Sequence, residues 1–479
     1  MKKSLQLTLR INAIFLTLAV TILPLASEGQ KSALNTFLSG NAMKHASVSF
    51  LAVDLNTSDT LLQHKINTSL CPASVTKIVS TATALELFGS GHTFITLLKY
   101  TGEIKSGVLE GDLIIYGGGD PALGSKNFSY YEAFLEKWAD AVSSAGIKKI
   151  KGAVVSDISY FSRSDVPDGW TWGDIGNYFG AAPMSLNGYD NEFTVTFKTG
   201  SKSDDNTSVV SISPEIPYMT FVNNVKTGNV SGDNSMIYGS VTDRTRTAEG
   251  LLPIGRSAFE VRGAIPMPPL LIANDFRNAL YAKGIASDTF YVSAINDSIK
   301  STQILSFPSV ALKDIVSVTN KVSMNMYAEM LFRHAGRKLN QNAANPSGEI
   351  EKYWGGKINT SGFFIEDGSG LSRSNAFNAS NLVSLLTYMK KSKNFDVFYE
   401  SLPVAGKSGT ISGMFKNTYA EDNLRAKSGS LNRVRCYAGY VTTRSGKEVA
   451  FALLVNNFSC SQSEMKSRIE KLLLAICDL

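Results

Sequence analysis

Histidine is scarce in this chain. Only four occur among 479 residues, at His45, His64, His92 and His334. None lies beside a Gly-x-Ser-x-Gly elbow and no two form a His-x-x-x-His pair, which argues against a Ser-His-Asp hydrolase and against a zinc peptidase. Cysteine is equally thin. Cys71, Cys436, Cys460 and Cys477 are too sparse for a disulfide framework and lack metal-ligand spacing, although one or two bridges are open to them in an oxidising compartment. No metal or other cofactor is implied. A strong charge excess is missing as well: the net charge is +6, with no Lys/Arg block or interleaved aromatic stripe, so nucleic acid is not an expected partner. An anionic envelope polymer remains compatible. There are no internal repeats or low-complexity segments, and 43% hydrophobic with 18% charged residues is the make-up of an ordinary globular protein.

A membrane-spanning run is lacking too. The apolar stretch Ile11 to Leu25 has 15 residues, short of the ~20 that a helix needs to cross a bilayer. Lys2, Lys3 and Arg10 precede it and Ala26, Ser27, Glu28 and Gly29 follow, so residues 1–29 read as a secretory signal peptide rather than an uncleaved anchor. No cysteine lies near the cleavage region for a lipoprotein anchor. The expected setting is export, to the periplasm or cell envelope.

Residues Ala46 to Lys65 alternate apolar and polar on both sides of a turn at 54–59, the pattern of a β-hairpin. A buried helix follows: Pro72 suits its start, Ile78, Val79, Ala82, Leu85 and Leu87 recur at helical spacing, and Gly89 supplies a stop. From 94 to 268 the texture becomes short β-like runs between Gly, Asn, Asp and Ser turns. Helical patterns return at 269–282, 311–339 and 380–391. The end reads as strands through Ala426, Val434 to Thr443 and Val449 to Asn456, then a helix from Ser461 to Cys477. The expected class is α/β (α+β), an antiparallel sheet covered by helices and interrupted by a large β-rich insertion. The expected division is a first part of the catalytic domain at 30–93, one inserted β-rich domain or two nested ones at 94–268, and the second part at 269–479. Met465, Ile469, Leu472 and Leu473 form one stripe on the terminal helix, read as packing on the sheet in preference to peripheral membrane contact. Oligomeric state is not legible.

A serine hydroxyl needs a base within hydrogen-bond reach to act as a nucleophile. With histidine unsuited, Ser74-Val75-Thr76-Lys77 offers another arrangement, because residues three apart on a helix share a face. An ordinary lysine is a proton donor, so the site must lower its pKa by burial or by a second cation. That requirement predicts a second lysine. Ser-x-x-Lys alone is weak and recurs at Ser463-Glu464-Met465-Lys466. Its usual companions are Ser-x-Asn and Lys-Thr/Ser-Gly, and both occur several times. Ser-x-Asn starts at Ser39, Ser185, Ser323 and Ser430; Lys-Thr-Gly at Lys198 and Lys226; Lys-Ser-Gly at Lys105, Lys407 and Lys427. Context selects Ser323-Met324-Asn325, which lies between two helical runs. It also selects Lys427-Ser428-Gly429-Ser430, which ends a strand before the terminal hairpin. Lys198 and Lys226 read as solvated loop lysines, and Lys407, among Gly406, Gly409 and Gly413, as part of a flexible loop.

Four segments together resemble one family: Pro72-Ala73-Ser74-Val75-Thr76-Lys77, Gly117-Gly118-Gly119-Asp120-Pro121, Asp367 to Arg373, and Ala426 to Leu431. The resemblance is to the D-alanyl-D-alanine carboxypeptidase/endopeptidase family of class C low-molecular-mass penicillin-binding proteins. It runs from about Ser47 to the C-terminus, and the long interval between Ser74 and Ser323 suits that family's insertion better than most β-lactamases. The resemblance implies a β-lactamase/transpeptidase-like fold. Ser74 would be the acylated nucleophile, Lys77 its base, Ser323 a proton relay, Asn325 a substrate-orienting amide and Lys427 the electrostatic partner and carboxylate anchor. Ser428, Gly429 and Ser430 would bind substrate, with Ser428 on its carboxylate and the N–H groups of Ser74 and Ser430 as oxyanion donors. Ser428 replaces the usual threonine and keeps the hydroxyl. Asp367 and Arg373 read as turn-forming before substrate-binding.

The function expected is a serine-type D-Ala-D-Ala carboxypeptidase, with DD-endopeptidase action also open, on peptidoglycan stem peptides and inhibited by β-lactams. The rivals are a β-lactamase or esterase on the same fold and a catalytically silent peptidoglycan-binding protein.

Overall fold

The computed structural model describes residues 28–161, 166–296, 298–341 and 345–479. The expected signal segment therefore lies outside the described residues, apart from Glu28 and Gly29, which open a helix Glu28–Leu38. No helix among the described residues is long and apolar enough to cross a membrane.

The chain's two ends build one sheet. Its five strands are ordered Arg425–Leu431, Val434–Thr442, Glu448–Asn456, Ser47–Asp54 and Thr60–His64, every neighbour antiparallel. Side chains alternate between faces, so each face can carry its own core. Val449, Phe451, Leu453 and Val455 pack toward the terminal helix Gln462–Cys477, which contributes Met465, Ile469, Leu472 and Leu473. Ala450, Ala452 and Leu454 face the opposite way, toward the helix Ala379–Lys390 and the core it shares with the helix that carries Lys77. Small alanines on that face let helices approach closely.

That helix, Thr76–Phe88, follows a single 3-10 turn Ala73–Val75 and ends at Gly89, whose φ of 80° closes it. Every residue from Thr76 to Leu85 is buried. It packs beside the helix Asn325–Leu339, and Lys77 touches Asn325, so the two helices start together.

The inserted region is more mixed than its β-rich texture implied. One part is a five-stranded sheet ordered Thr289–Ser293, Ala153–Asp157, Leu113–Tyr116, Ile95–Tyr100 and Thr302–Pro308, two of whose pairings are parallel. Helices Phe134–Ser144 and Pro268–Ala282 pack on it, burying Trp138, Phe276 and Leu280. The other part, 192–264, consists of two three-stranded sheets around Phe193, Val195, Phe197, Ile237 and Ala248. The sheet that includes Ile95–Tyr100 also takes in Thr289–Ser293 and Thr302–Pro308, which follow the expected boundary at 268 in sequence. The helix 268–282 reads like the catalytic helices because both bury one face against a sheet.

Residues 166–191 lead from the insertion across to the catalytic core. Trp170 Nε1 donates to Asp367 Oδ2 at 2.9 Å, and Tyr327 donates to Asp190 Oδ1 at 2.6 Å. The insertion is thereby keyed to the helix that begins with Asn325.

Candidate active site

Ser74 lies in the 3-10 turn, half-buried, directly after Ala73, whose φ of 47° is left-handed. Non-glycine residues seldom hold that conformation, and the strain sits beside the prospective nucleophile. One turn on, Lys77 is fully buried with Nζ 3.0 Å from Ser74 Oγ. Its other two neighbours are Asn325 Oδ1 and Ser369 O, each at 2.6 Å. Protonated, the amine donates to all three oxygens. Neutral, it keeps two N–H groups for the two carbonyl oxygens, which can only accept. Its lone pair is then left for the Ser74 hydroxyl.

Burial takes Lys77 down to about 7, against the pull of the Asp367 and Glu329 carboxyls, which hold it up. Burial is the leading cause. Lys427 is likewise held well below the usual lysine value by burial, by the charge of Lys77 and by Arg435, and the repulsion between the two amines keeps both from being charged together.

Asn325 opens its helix two residues after Ser323, which holds a left-handed φ of 63°. Its Nδ2 donates to Phe179 O at 2.7 Å, and this contact fixes which end of the amide faces Lys77. Ser323 Oγ accepts from Lys427 Nζ at 2.9 Å, and Lys427 also donates to Ser428 O at 2.8 Å. Lys427 and Ser428 are buried near the middle of the edge strand Arg425–Leu431, and Ser430 is exposed opposite Arg435. Gly429 brings that strand against the helix start: a Cβ there would meet Pro72 O at 2.4 Å and Ser74 N at 3.0 Å. A side chain is excluded by contact with backbone, not by backbone angle.

The structure thus brings Ser74, Lys77, Asn325, Ser323 and Lys427 into one connected set, with Ser428, Gly429 and Ser430 along the adjoining strand. The decoys lie elsewhere. Ser463 and Lys466 are on the outer side of the terminal helix, Lys198 ends a strand of the insertion, and Lys226 is exposed within another strand where a turn was expected.

The sequence profile of the D-Ala-D-Ala carboxypeptidase 3 (S13) family matches residues 30–475. The chain belongs to that family. It is 26% identical over 451 residues to a D-alanyl-D-alanine carboxypeptidase of Actinomadura, covering 89% of this chain and 80% of the relative. It is 27% identical over 433 residues to the D-alanyl-D-alanine carboxypeptidase DacB of Haemophilus influenzae, covering 88% of each. The crystal structure of penicillin binding protein 4 (dacB) from that organism matches with a TM-score of 0.79 at 25% identity, over 93% of this chain and 98% of the other. The chain is a serine peptidase of the D-Ala-D-Ala carboxypeptidase type with the α/β fold that its motifs implied.

Around this set, Glu329, Ser369 and Phe179 were not singled out from sequence, whereas Asp367 and Arg373 were read as turn-forming. Asp367 is buried and accepts from Gly370 N at 2.6 Å, Ser372 N at 2.7 Å and Asn375 Nδ2 at 2.8 Å, besides Trp170. It acts as the hub of a tight loop. Its product is the Ser369 carbonyl aimed at Lys77, while Glu329 Oε1 accepts from the N–H of the same residue at 2.8 Å. Burial and the neighbouring Asp367 push the Glu329 carboxyl up. Arg373 is exposed and donates to Asn432 O at 3.2 Å. Backbone partners such as Ser369 O and Phe179 O leave no side-chain signal in a sequence. Asp-Gly-Ser-Gly, two residues of which flank that carbonyl, was the nearest available clue.

The Gly117-Gly118-Gly119-Asp120 signature proves to be packing. A Cβ at Gly118 would lie 1.9 Å from Ile95 O, and Asp120 is occupied by Ala122 N and Tyr131 Oη, both at 2.8 Å. All four cysteines are free.

Proposed function

We propose that Ser74 is the acylated nucleophile and Lys77, in its neutral form, its general base. The observation that carries this reading is the amine's setting: two acceptor-only oxygens take its N–H groups and leave the lone pair on Ser74 Oγ. A base near pH 7 balances availability against strength. Ser74 Oγ attacks the carbonyl carbon of the penultimate D-Ala while its proton passes to Lys77. The oxyanion forms beside the N–H groups of Ser74 and Ser430. Ser323, bonded to Lys427, hands a proton to the departing D-Ala amine as the peptide bond breaks. Water then releases the acyl group from Ser74.

Asn325 orients the substrate while holding Lys77. Lys427 and Ser428 receive the terminal carboxylate, and the arriving negative charge raises the pKa of Lys427, so binding takes up a proton. The substrate is a peptidoglycan stem peptide, with a cross-link ending in D-Ala as the second bond open to cleavage. Penicillin binding protein 4 of Haemophilus influenzae has been solved with a β-lactam bound, and the same class of inhibitor is expected to acylate Ser74 here. The basic and apolar leader at 1–29 supports an exported enzyme of the periplasm or cell envelope.

Ser74→Ala should abolish both labelling by fluorescent penicillin and D-Ala release, whereas Ser463→Ala should change neither. Mass spectrometry of muropeptides after digestion identifies the bond cut. Rapid penicillin turnover without D-Ala release would favour a β-lactamase, and no labelling at all a silent binding protein.

A further inference from the structure

A cleft of about 430 Å³ opens at the opposite end of the two catalytic helices. Phe88 ends the Lys77 helix, and His334, Arg337 and Lys338 lie in the last turns of the Asn325 helix. At 1.5 Å per residue the cleft is therefore about 15 to 20 Å from Lys77 along either helix. Its third wall is the insertion, through Tyr116 and Tyr160. The volume is that of a small-molecule site rather than a packing flaw.

The floor is made of rings. His334 stacks on Phe94 with centroids 4.1 Å apart, and His92 stacks on Phe88 at 4.8 Å. Both imidazoles are kept neutral by burial, His334 down to about 3. His334 donates through Nε2 to Gly119 O at 2.9 Å, which fixes its plane. The mouth carries cations. Arg337 lies 4.5 Å from the Tyr160 ring centre with Lys338 exposed beside it, while Lys99, outside the lining, lies 4.2 Å from the ring centre of Tyr116. Among the described residues, none of the three is in an ion pair and no carboxylate lines the cleft. A positive rim without counter-charge over an aromatic floor is complementary to a flat ring that bears an anion.

We propose that this cleft binds an N-acylated hexosamine carrying a free carboxylate, as occurs in the glycan of the wall polymer wherever the stem peptide has been removed. The ring's C–H face lies on the aromatic floor, its hydroxyl and amide groups meet Thr93, Tyr160 and Gln341, and its carboxylate meets Arg337 and Lys338. Because the cleft is remote from Ser74, the sugar belongs to a different stretch of polymer from the stem being cut. Two weak contacts on one polymer reinforce each other.

The test is calorimetric titration of the full protein with the peptide-free disaccharide of N-acetylglucosamine and N-acetylmuramic acid. Chitobiose is the uncharged control and a free stem peptide the competitor. Saturable binding is expected, weaker by about tenfold or more in Arg337→Glu/Lys338→Glu and for chitobiose, and unchanged in Ser74→Ala. Arg337→Gln is the milder substitute if the double variant misfolds, which normal penicillin labelling would exclude. The double variant should also digest sacculi partly stripped of stem peptides by an amidase more slowly, while cleaving a short D-Ala-D-Ala peptide at the normal rate. No disaccharide binding, equal binding of chitobiose, undiminished binding by the variants, or displacement by the stem peptide would each overturn the proposal. None of these outcomes depends on which serine is acylated.

Discussion

Two Lys-Ser-Gly segments in one chain carry the same letters and opposite physics. Lys427 is fully buried in a sheet strand and bonds Ser323 at 2.9 Å. Lys407 is half exposed in the connection 402–424, and its nearest partner is Glu421 at 3.5 Å. Burial is the difference that matters, since it costs the charged form of Lys427, whereas the Lys407 side chain stays in contact with solvent. The two are nonetheless neighbours. Thr410, following Gly409 of the second segment, has its hydroxyl 2.7 Å from that of Ser428. Gly409 is wedged rather than free, because a Cβ there would lie 2.6 Å from Lys321 O. What looked like a flexible glycine loop is a brace between the Ser323 turn and the Lys427 strand.

The widest separation of the pair is by substitution. Lys427→Ala should lower the acylation rate by about 10²–10⁴-fold, the range for loss of a positioned proton-transfer or charge-stabilising group. Lys407→Ala should leave it unchanged and alter stability by less than about 0.5 kcal/mol. Stopped-flow acylation with a chromogenic β-lactam and thermal melts would read both. Equal losses in the two variants would erase the distinction.

Acidification should stop the site next. With the neutral Lys77 amine as the proposed base, burial that brings its pKa down to about 7 sets the expected profile. Below that value acylation should fall about tenfold per pH unit, and above it should level off. The same shift bears on stability. A lysine with a folded value below its unfolded one favours folding fully above the unfolded value, and that contribution fades as pH falls toward 7. A rate profile flat from pH 5 to 8 would remove Lys77 as the base.

The sheet built from the chain's two ends and the Lys77 helix were legible in the sequence because their signals are local. Alternation around 54–59, the Pro72 start, the Gly89 stop and the terminal hairpin each depend on a few neighbouring residues. The insertion yielded less. Its main sheet joins 95–100 to 302–308 and 113–116 to 153–157, pairings that no local pattern encodes. The same limit applied within the site. Ser74, Lys77, Ser323, Asn325 and Lys427 could be chosen from motif and context, whereas Ser369 and Phe179 act through carbonyls. Glu329 matters through burial, which a lone carboxylate in a sequence does not announce, while Asp367 was legible as the start of a turn.

Close approach of the Lys427 strand to the Ser74 turn gives a graded way to loosen one segment without touching the other. Gly429→Ala puts a methyl group 2.4 Å from Pro72 O. Backbone cannot yield as a flexible side chain would, so the strand must shift outward, at a cost of about 1–3 kcal/mol. Acylation should drop more than substrate affinity, because Ser74 N and Ser430 N separate. Unaltered kinetics would mean the strand tolerates displacement.

The smallest expected effect probes the contact between the two segments. Thr410→Val keeps the shape of the side chain and removes its hydroxyl, so Ser428 Oγ loses the partner at 2.7 Å. A neutral hydrogen bond contributes about 0.5–1.5 kcal/mol, which corresponds to roughly two- to tenfold in an equilibrium constant. If Ser428 receives the substrate carboxylate, a freed hydroxyl is less well aimed at it and KM should rise by that factor with kcat nearly constant. Thr410→Ser, which restores the hydroxyl, should recover most of the loss. A fall in kcat alone, or no rescue by serine, would mean that Thr410 braces the strand through packing and that the Lys407 segment touches the site without tuning it.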